Sequence, residues 1–73
     1  MPTKLPYPKN EHVWTEYYAR DGTVKFIITS KNTSRDLYYV YELRDGAFVK
    51  LGRNASPNVL EDTYILKDGV YDP

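Results

Sequence analysis

One short pattern, Tyr-x-x-[Arg/Lys]-Asp-Gly, punctuates the chain at Tyr17–Gly22, Tyr41–Gly46 and Tyr64–Gly69. The leading tyrosines of the three copies are 24 and 23 residues apart. Asp-Gly between β-branched and aromatic runs marks a tight hairpin turn, because glycine accepts positive φ freely and aspartate tolerates it. Recurrence at this period describes strand–turn–strand units, two full copies and a truncated third. The expected fold is all-β, or β-rich with one short C-terminal helix. Its form is a small antiparallel meander or partly open barrel of about 4–5 strands built from Asp-Gly hairpins.

Length sets the terms on which such a fold is stable. With 73 residues the chain makes one domain and buries only about 60% of the surface that its unfolded form exposes. It contains no cysteine and a single histidine, His12, which excludes a disulfide framework and a cysteine-based zinc site. Aromatic packing or association with another chain is left as the stabilising device. Eight tyrosines, one tryptophan and two phenylalanines supply large apolar areas for few frozen torsions.

Residues 1–10 form an extended, proline-rich N-terminal strap: Pro2, Pro6 and Pro8 leave few donors for a sheet, and Leu5 and Tyr7 can lie across the domain. Residues 11–73 make the single small β domain. A two-residue Asp21-Gly22 turn sets Arg20 against Thr23. Ala19–Val24, Tyr17–Phe26 and Thr15–Ile28 then share an apolar face with Val13, and Trp14, Glu16, Tyr18, Arg20, Lys25 and Ile27 lie opposite. The same rule sets Lys50 against Tyr41 in the second hairpin. A three-residue Arg44-Asp45-Gly46 loop with a glycine bulge instead gives Leu43–Ala47, Tyr41–Val49 and Tyr39–Leu51, on a face with Leu37. The two turns are therefore expected to differ in type, because register follows the face that must be buried.

Lys31–Asp36 and Arg53–Asn58 are polar breaks. Beyond them Ser56-Pro57 resembles a helix start, with Glu61 and Asp62 early and Lys67 late. The run Thr63–Leu66, inside the third Asp-Gly copy, favours a fifth strand.

Chemistry-bearing motifs are sparse, and no catalytic, metal or cofactor site is expected. His12 has no nucleophile or second acid–base group marked beside it. Asp21, Asp45 and Asp68 read as turn-formers, and isolated Asp-Gly pairs lack the ligand density of a calcium loop. Asn32-Thr-Ser34 and Asn54-Ala-Ser56 match the glycosylation pattern, and coincidence explains them better. No apolar stretch has signal-peptide or membrane-spanning length, which with the absence of cysteine makes the cytoplasm the expected compartment.

The functional lead is the outer sheet face. By the parity above it carries Trp14, Tyr18, Ile27, Tyr38, Val40 and Phe48, interleaved with Arg20, Lys25, Arg44 and Lys50. Either the C-terminal segment folds back over it through Val59, Leu60, Tyr64, Ile65 and Leu66, or it stays open as a contact surface. The expected function is a small non-catalytic binding or regulatory module, contacting another protein or a second copy of itself through Trp14, Tyr18, Arg20, Lys25, Tyr38, Arg44, Phe48 and Lys50. Aromatics beside basic groups also fit single-stranded nucleic acid or RNA. The ten basic and ten acidic residues balance, which weakens that alternative. The tyrosine-rich hairpins with [Lys/Arg]-Asp-Gly turns resemble cell-wall-binding repeats of the choline- and glucan-binding type. The resemblance covers the turns and the preceding tyrosines, without the tryptophan-centred pattern of those repeats. It implies carbohydrate or cell-wall binding as a second alternative.

Overall fold

Four strands, β1 (Glu11–Tyr18), β2 (Val24–Lys31), β3 (Ser34–Arg44) and β4 (Ala47–Asn54), form one antiparallel sheet in the order β1-β2-β3-β4. The structure is a computed structural model that describes residues 5–31 and 34–66, with the backbone alone at 34–36. After β4 the chain turns into a helix, α1 (Pro57–Leu60), which widens into a π-helical turn at Glu61–Ile65. The sheet is an open meander, as the hairpin spacing predicts.

Of the two readings of the C-terminal segment the short helix is the one formed: residues 57–65 are helical, and no fifth strand follows β4 among the described residues. Local chemistry at residues 54–57 overrides the β-propensity of Thr63-Tyr64-Ile65. The Asn54 side-chain oxygen accepts the Ser56 amide at 2.9 Å, Ser56 stays extended, and Pro57 opens the helix where its missing N–H costs nothing. Helical spacing then brings Leu60, Tyr64 and Ile65 onto the sheet and leaves Val59 and Leu66 exposed. The turn of the third motif copy, Lys67-Asp68-Gly69, lies outside the described residues.

The two Arg-Asp-Gly turns do differ in type, and the assignment is the reverse of the expected one. In the first, the Gly22 amide donates to the Ala19 carbonyl and the Ala19 amide donates to the Thr23 carbonyl. These bonds close a three-residue Arg20-Asp21-Gly22 loop with Gly22 at φ 89°. The Asp21 carboxylate accepts the Thr23 hydroxyl at 2.6 Å and the Thr23 amide at 3.0 Å, and these bonds hold its carboxyl below the usual carboxylate range. A bulge at Lys25 then restores the expected Tyr17–Phe26 and Thr15–Ile28 pairs, although Val24 faces Tyr18 instead of Ala19. A second irregularity at Trp14 sets Val13 against Thr29, on the face opposite Thr15.

In the second turn Asp45 and Gly46 both have positive φ, 50° and 81°. That is a two-residue primed turn, whose twist matches its strands. Leu43 therefore faces Phe48, and Tyr41 faces Lys50; the expected Leu43–Ala47, Tyr41–Val49 and Tyr39–Leu51 pairs do not form. The apparent misfit of lysine opposite tyrosine is resolved by stacking. Lys50 Nζ lies 4.2 Å from the Tyr39 ring centroid and 5.6 Å from that of Tyr41, so its stem covers apolar rings while its charge stays in water.

Both faces of the sheet carry a core. On the first, Tyr17, Phe26, Ile28 and Val40 pack with Leu60 and Ile65 of the helical segment. On the second, Ile27, Tyr39 and Tyr41 pack with Val24, Leu37 and Phe48. The central strands are thus buried from both sides, continuously over Phe26–Thr29 and Tyr39–Tyr41. Ile27 and Val40, both expected on the outer face, are fully buried on opposite faces. A single shared inner face fails here because Phe26 pairs with Glu42 and Ile28 with Val40. This register puts Tyr39 and Tyr41 behind the sheet from Phe26.

Candidate partner-binding groove

Polar groups close the second face. The N-terminal strap turns into β1 at Asn10, a non-glycine residue at φ 65°. Its Tyr7 ring stacks on Phe48 of β4 with centroids 5.3 Å apart, and its hydroxyl donates to Glu16 of β1. One strap residue therefore touches both edge strands of the sheet.

Glutamates are the acceptors throughout. Glu16 also accepts the Tyr18 hydroxyl at 2.8 Å. Glu11 accepts the Thr29 hydroxyl at 2.5 Å and the Tyr41 hydroxyl at 2.9 and 3.0 Å. Glu61, on the helical segment, accepts the Tyr17 hydroxyl at 2.5 Å. Burial, then the bond to Glu16 and its charge, push the Tyr7 hydroxyl up from its ordinary value of 10.0 to about 12. Burial and Glu11 raise Tyr41 likewise, well above the ordinary tyrosine value. Among the described residues no buried side-chain nitrogen or oxygen lacks a partner.

Where strap and β1 meet, an open groove is lined by Tyr7, Val13, Trp14, Thr15 and Glu16. The bulge at Trp14 makes it: the extra residue turns the indole out of the ladder, edge-on to Tyr38 at 6.0 Å, with 51% of its surface exposed. Tyr7 and Val13 beside it are also exposed.

The eight residues expected to share one surface are distributed over two faces and a turn. Trp14 and Tyr38 belong with the helix side. Tyr18, Phe48 and Lys50 belong to the strap side, each already in contact with a neighbour. Arg20 stands in the first turn. Lys25 lies 5.7 Å from the Phe26 ring centroid, and Arg44 is paired with Glu42 at 2.6 Å. Arg20, Lys25, Arg44 and Lys50 therefore make no single basic stripe. The rings under Lys50 are buried and offer no platform for a stacked base.

Sequence reasoning placed Trp14 in the site and missed Tyr7, Val13, Thr15 and Glu16. For Glu16 a signal existed: Glu16 and Tyr18 stand two apart on a strand, hence on one face. For Tyr7 the signal was partial: the prolines predict a strap that can lay it across the domain, while its partners Glu16 and Phe48 follow from no spacing. Among the described residues no group of three or more His, Cys, Asp or Glu could hold a metal ion, and no helix is long and apolar enough to cross a membrane.

Compared with known protein families, curated proteins and solved structures, the chain matches none.

Proposed function

We propose that this chain is a small non-catalytic binding module whose groove along β1 receives a partner protein. One observation carries the reading. Among the described residues the exposed large hydrophobic side chains are Tyr7, Val13, Trp14, Val49, Val59 and Leu66, and the first three line the same groove. Exposed tyrosine and tryptophan side chains are the residue types that dominate protein–protein hot spots. The groove borders an edge strand, the position from which partners most readily dock on a sheet.

The test is affinity capture from the native host with the wild type and with Trp14→Ser, thermal melting serving as the fold control. Trp14 is half exposed, so the variant is expected to melt close to the wild type and to lose one specific partner. Unchanged capture by a folded Trp14→Ser protein would sink the proposal.

A further inference from the structure

The chemistry of the groove selects the side chain it takes. We propose that it is an arginine pocket, seating the guanidinium of one arginine of the partner protein between the Tyr7 and Trp14 rings and the Glu16 carboxylate. This rests on the reading of the groove as a protein contact and names what that contact recognises.

Among the described residues the lining is two aromatic rings, Val13, Thr15 and one carboxylate, with no basic side chain. Among the described residues the one ion pair is Arg44–Glu42, so Glu16 has no cationic partner among them. Its two donors are hydroxyls, Tyr7 on Oε2 and Tyr18 on Oε1. They fix the orientation of the carboxylate and do not neutralise it. The charge shows in its neighbour, since Glu16 helps to hold the Tyr7 proton up to about 12. A carboxylate has about four lone-pair sites, so two tyrosine bonds leave one acceptor direction on each oxygen. That is the complement of a guanidinium fork. Aromatic faces attract a cation through their quadrupole, and a planar, weakly hydrated guanidinium exploits both features at once. A lysine ammonium, compact and strongly hydrated, does so poorly.

Nothing else in the described part of the molecule has this composition. Glu11 is closed in by Thr29 and Tyr41, and Glu61 is held by the fully buried Tyr17. Lys31 and Lys50 gather over Tyr39 on the strap side. Their positive charge adds to the contrast with the groove.

The experiment titrates the ¹⁵N-labelled full chain with the peptide acetyl-Gly-Arg-Gly-amide and with its citrulline and lysine counterparts. Citrulline keeps the shape of arginine and removes its charge. The arginine peptide is expected to move the amide resonances of Val13–Glu16 and Tyr7, and to bind roughly tenfold tighter than the citrulline peptide, the scale of one charge-assisted hydrogen bond. Glu16→Gln keeps one acceptor oxygen and places an amide N–H against the other tyrosine, whose hydroxyl oxygen can accept it, so a folded variant is expected, with arginine affinity reduced to the citrulline level. Equal binding of arginine and citrulline, shifts confined to other residues, or an unaffected Glu16→Gln titration would overturn the pocket. Failure of the two readings is separable. Loss of the captured partner in Trp14→Ser with no arginine preference retains the contact surface and removes the pocket. A specific arginine response with capture unchanged removes the protein contact at Trp14 instead.

Discussion

The two faces of the sheet are closed by different chemistry. On the helix side Leu60 and Ile65 come down on Tyr17, Phe26, Ile28 and Val40, and a separate element supplies the closure, apolar apart from the Tyr17 hydroxyl that donates to Glu61. On the strap side no helix or strand does so among the described residues. Tyr39, Tyr41 and Ile27 are covered instead by lysine stems, by Phe48 and by hydroxyl–carboxylate bonds from Glu11 and Glu16. The difference teaches why a chain this small, without cysteine, is so rich in tyrosine. A tyrosine ring fills a core beneath a single layer of side chains and carries its own polar end to the surface. On the proposed reading duties are separate: the helical segment holds the fold, and the β1 margin, where Tyr7 and Trp14 stay exposed, receives the partner.

Four variants would break or sharpen that contrast. Leu60→Ala removes a fully buried side chain from the apolar closure and is expected to cost about 2–5 kcal/mol in urea unfolding; a cost below 1 kcal/mol on that scale would show that the helix is not the lid of a core. Tyr17→Phe unties β1 from Glu61 and should lose about 1.5–3 kcal/mol, the range for a hydrogen bond to a charged group. Gly52→Ala comes next. A Cβ there would lie 2.8 Å from Tyr64 Cζ, and closer still to its hydroxyl oxygen, so Tyr64 must move off β4 at a cost of about 1–3 kcal/mol. A thermal melt unchanged in Gly52→Ala would place Tyr64 elsewhere.

The smallest effect is expected at Tyr7, and it is pH-dependent. The folded value of Tyr7 lies above its ordinary one, so its contribution is complete below the ordinary tyrosine value and is lost as pH rises through the folded one. Stability should therefore fall between pH 10.0 and about 12, and Tyr7→Phe should flatten the part of that fall due to the strap. Tyr41 titrates later still for the same reason. Absorbance at the tyrosinate band, as the difference between wild type and Tyr7→Phe, reads this directly: the lost component should titrate toward about 12, and one lost at the ordinary value of 10.0 would mean that Tyr7 does not hold Glu16.

Much of the scaffold was legible in the sequence. The Asp-Gly pairs placed both hairpins, and comparing their flanks showed that two nearly identical turns could not share one geometry. Which turn took which form was not legible. Bulges at Lys25 and Trp14 and the irregularity at Leu51 each shift parity by one residue without a distinctive local sequence. The runs Phe26-Ile27-Ile28 and Leu37–Tyr41 do announce strands buried on both sides. Assigning them one inner face hid that, and it placed Ile27 and Val40 outside. The groove was least legible, since one wall comes from the strap and is fixed to the sheet by contacts with Glu16 and Phe48 that no spacing rule encodes.

The central claim is that the β1 margin, where Trp14 and Tyr7 line one groove, is the working surface and that the helical segment packed on Tyr17, Phe26, Ile28 and Val40 is structural. Val59 and Leu66 on the helical side are nearly as exposed as Trp14, at 45% and 49% against 51%, so exposure alone does not separate them. A photo-crosslinking amino acid placed singly at positions 14, 59 and 66, and irradiated in extract of the native host, decides between them. One specific adduct at position 14, absent at 59 and 66, is the predicted result. The same adduct at 59 or 66, with none at 14, would contradict the account.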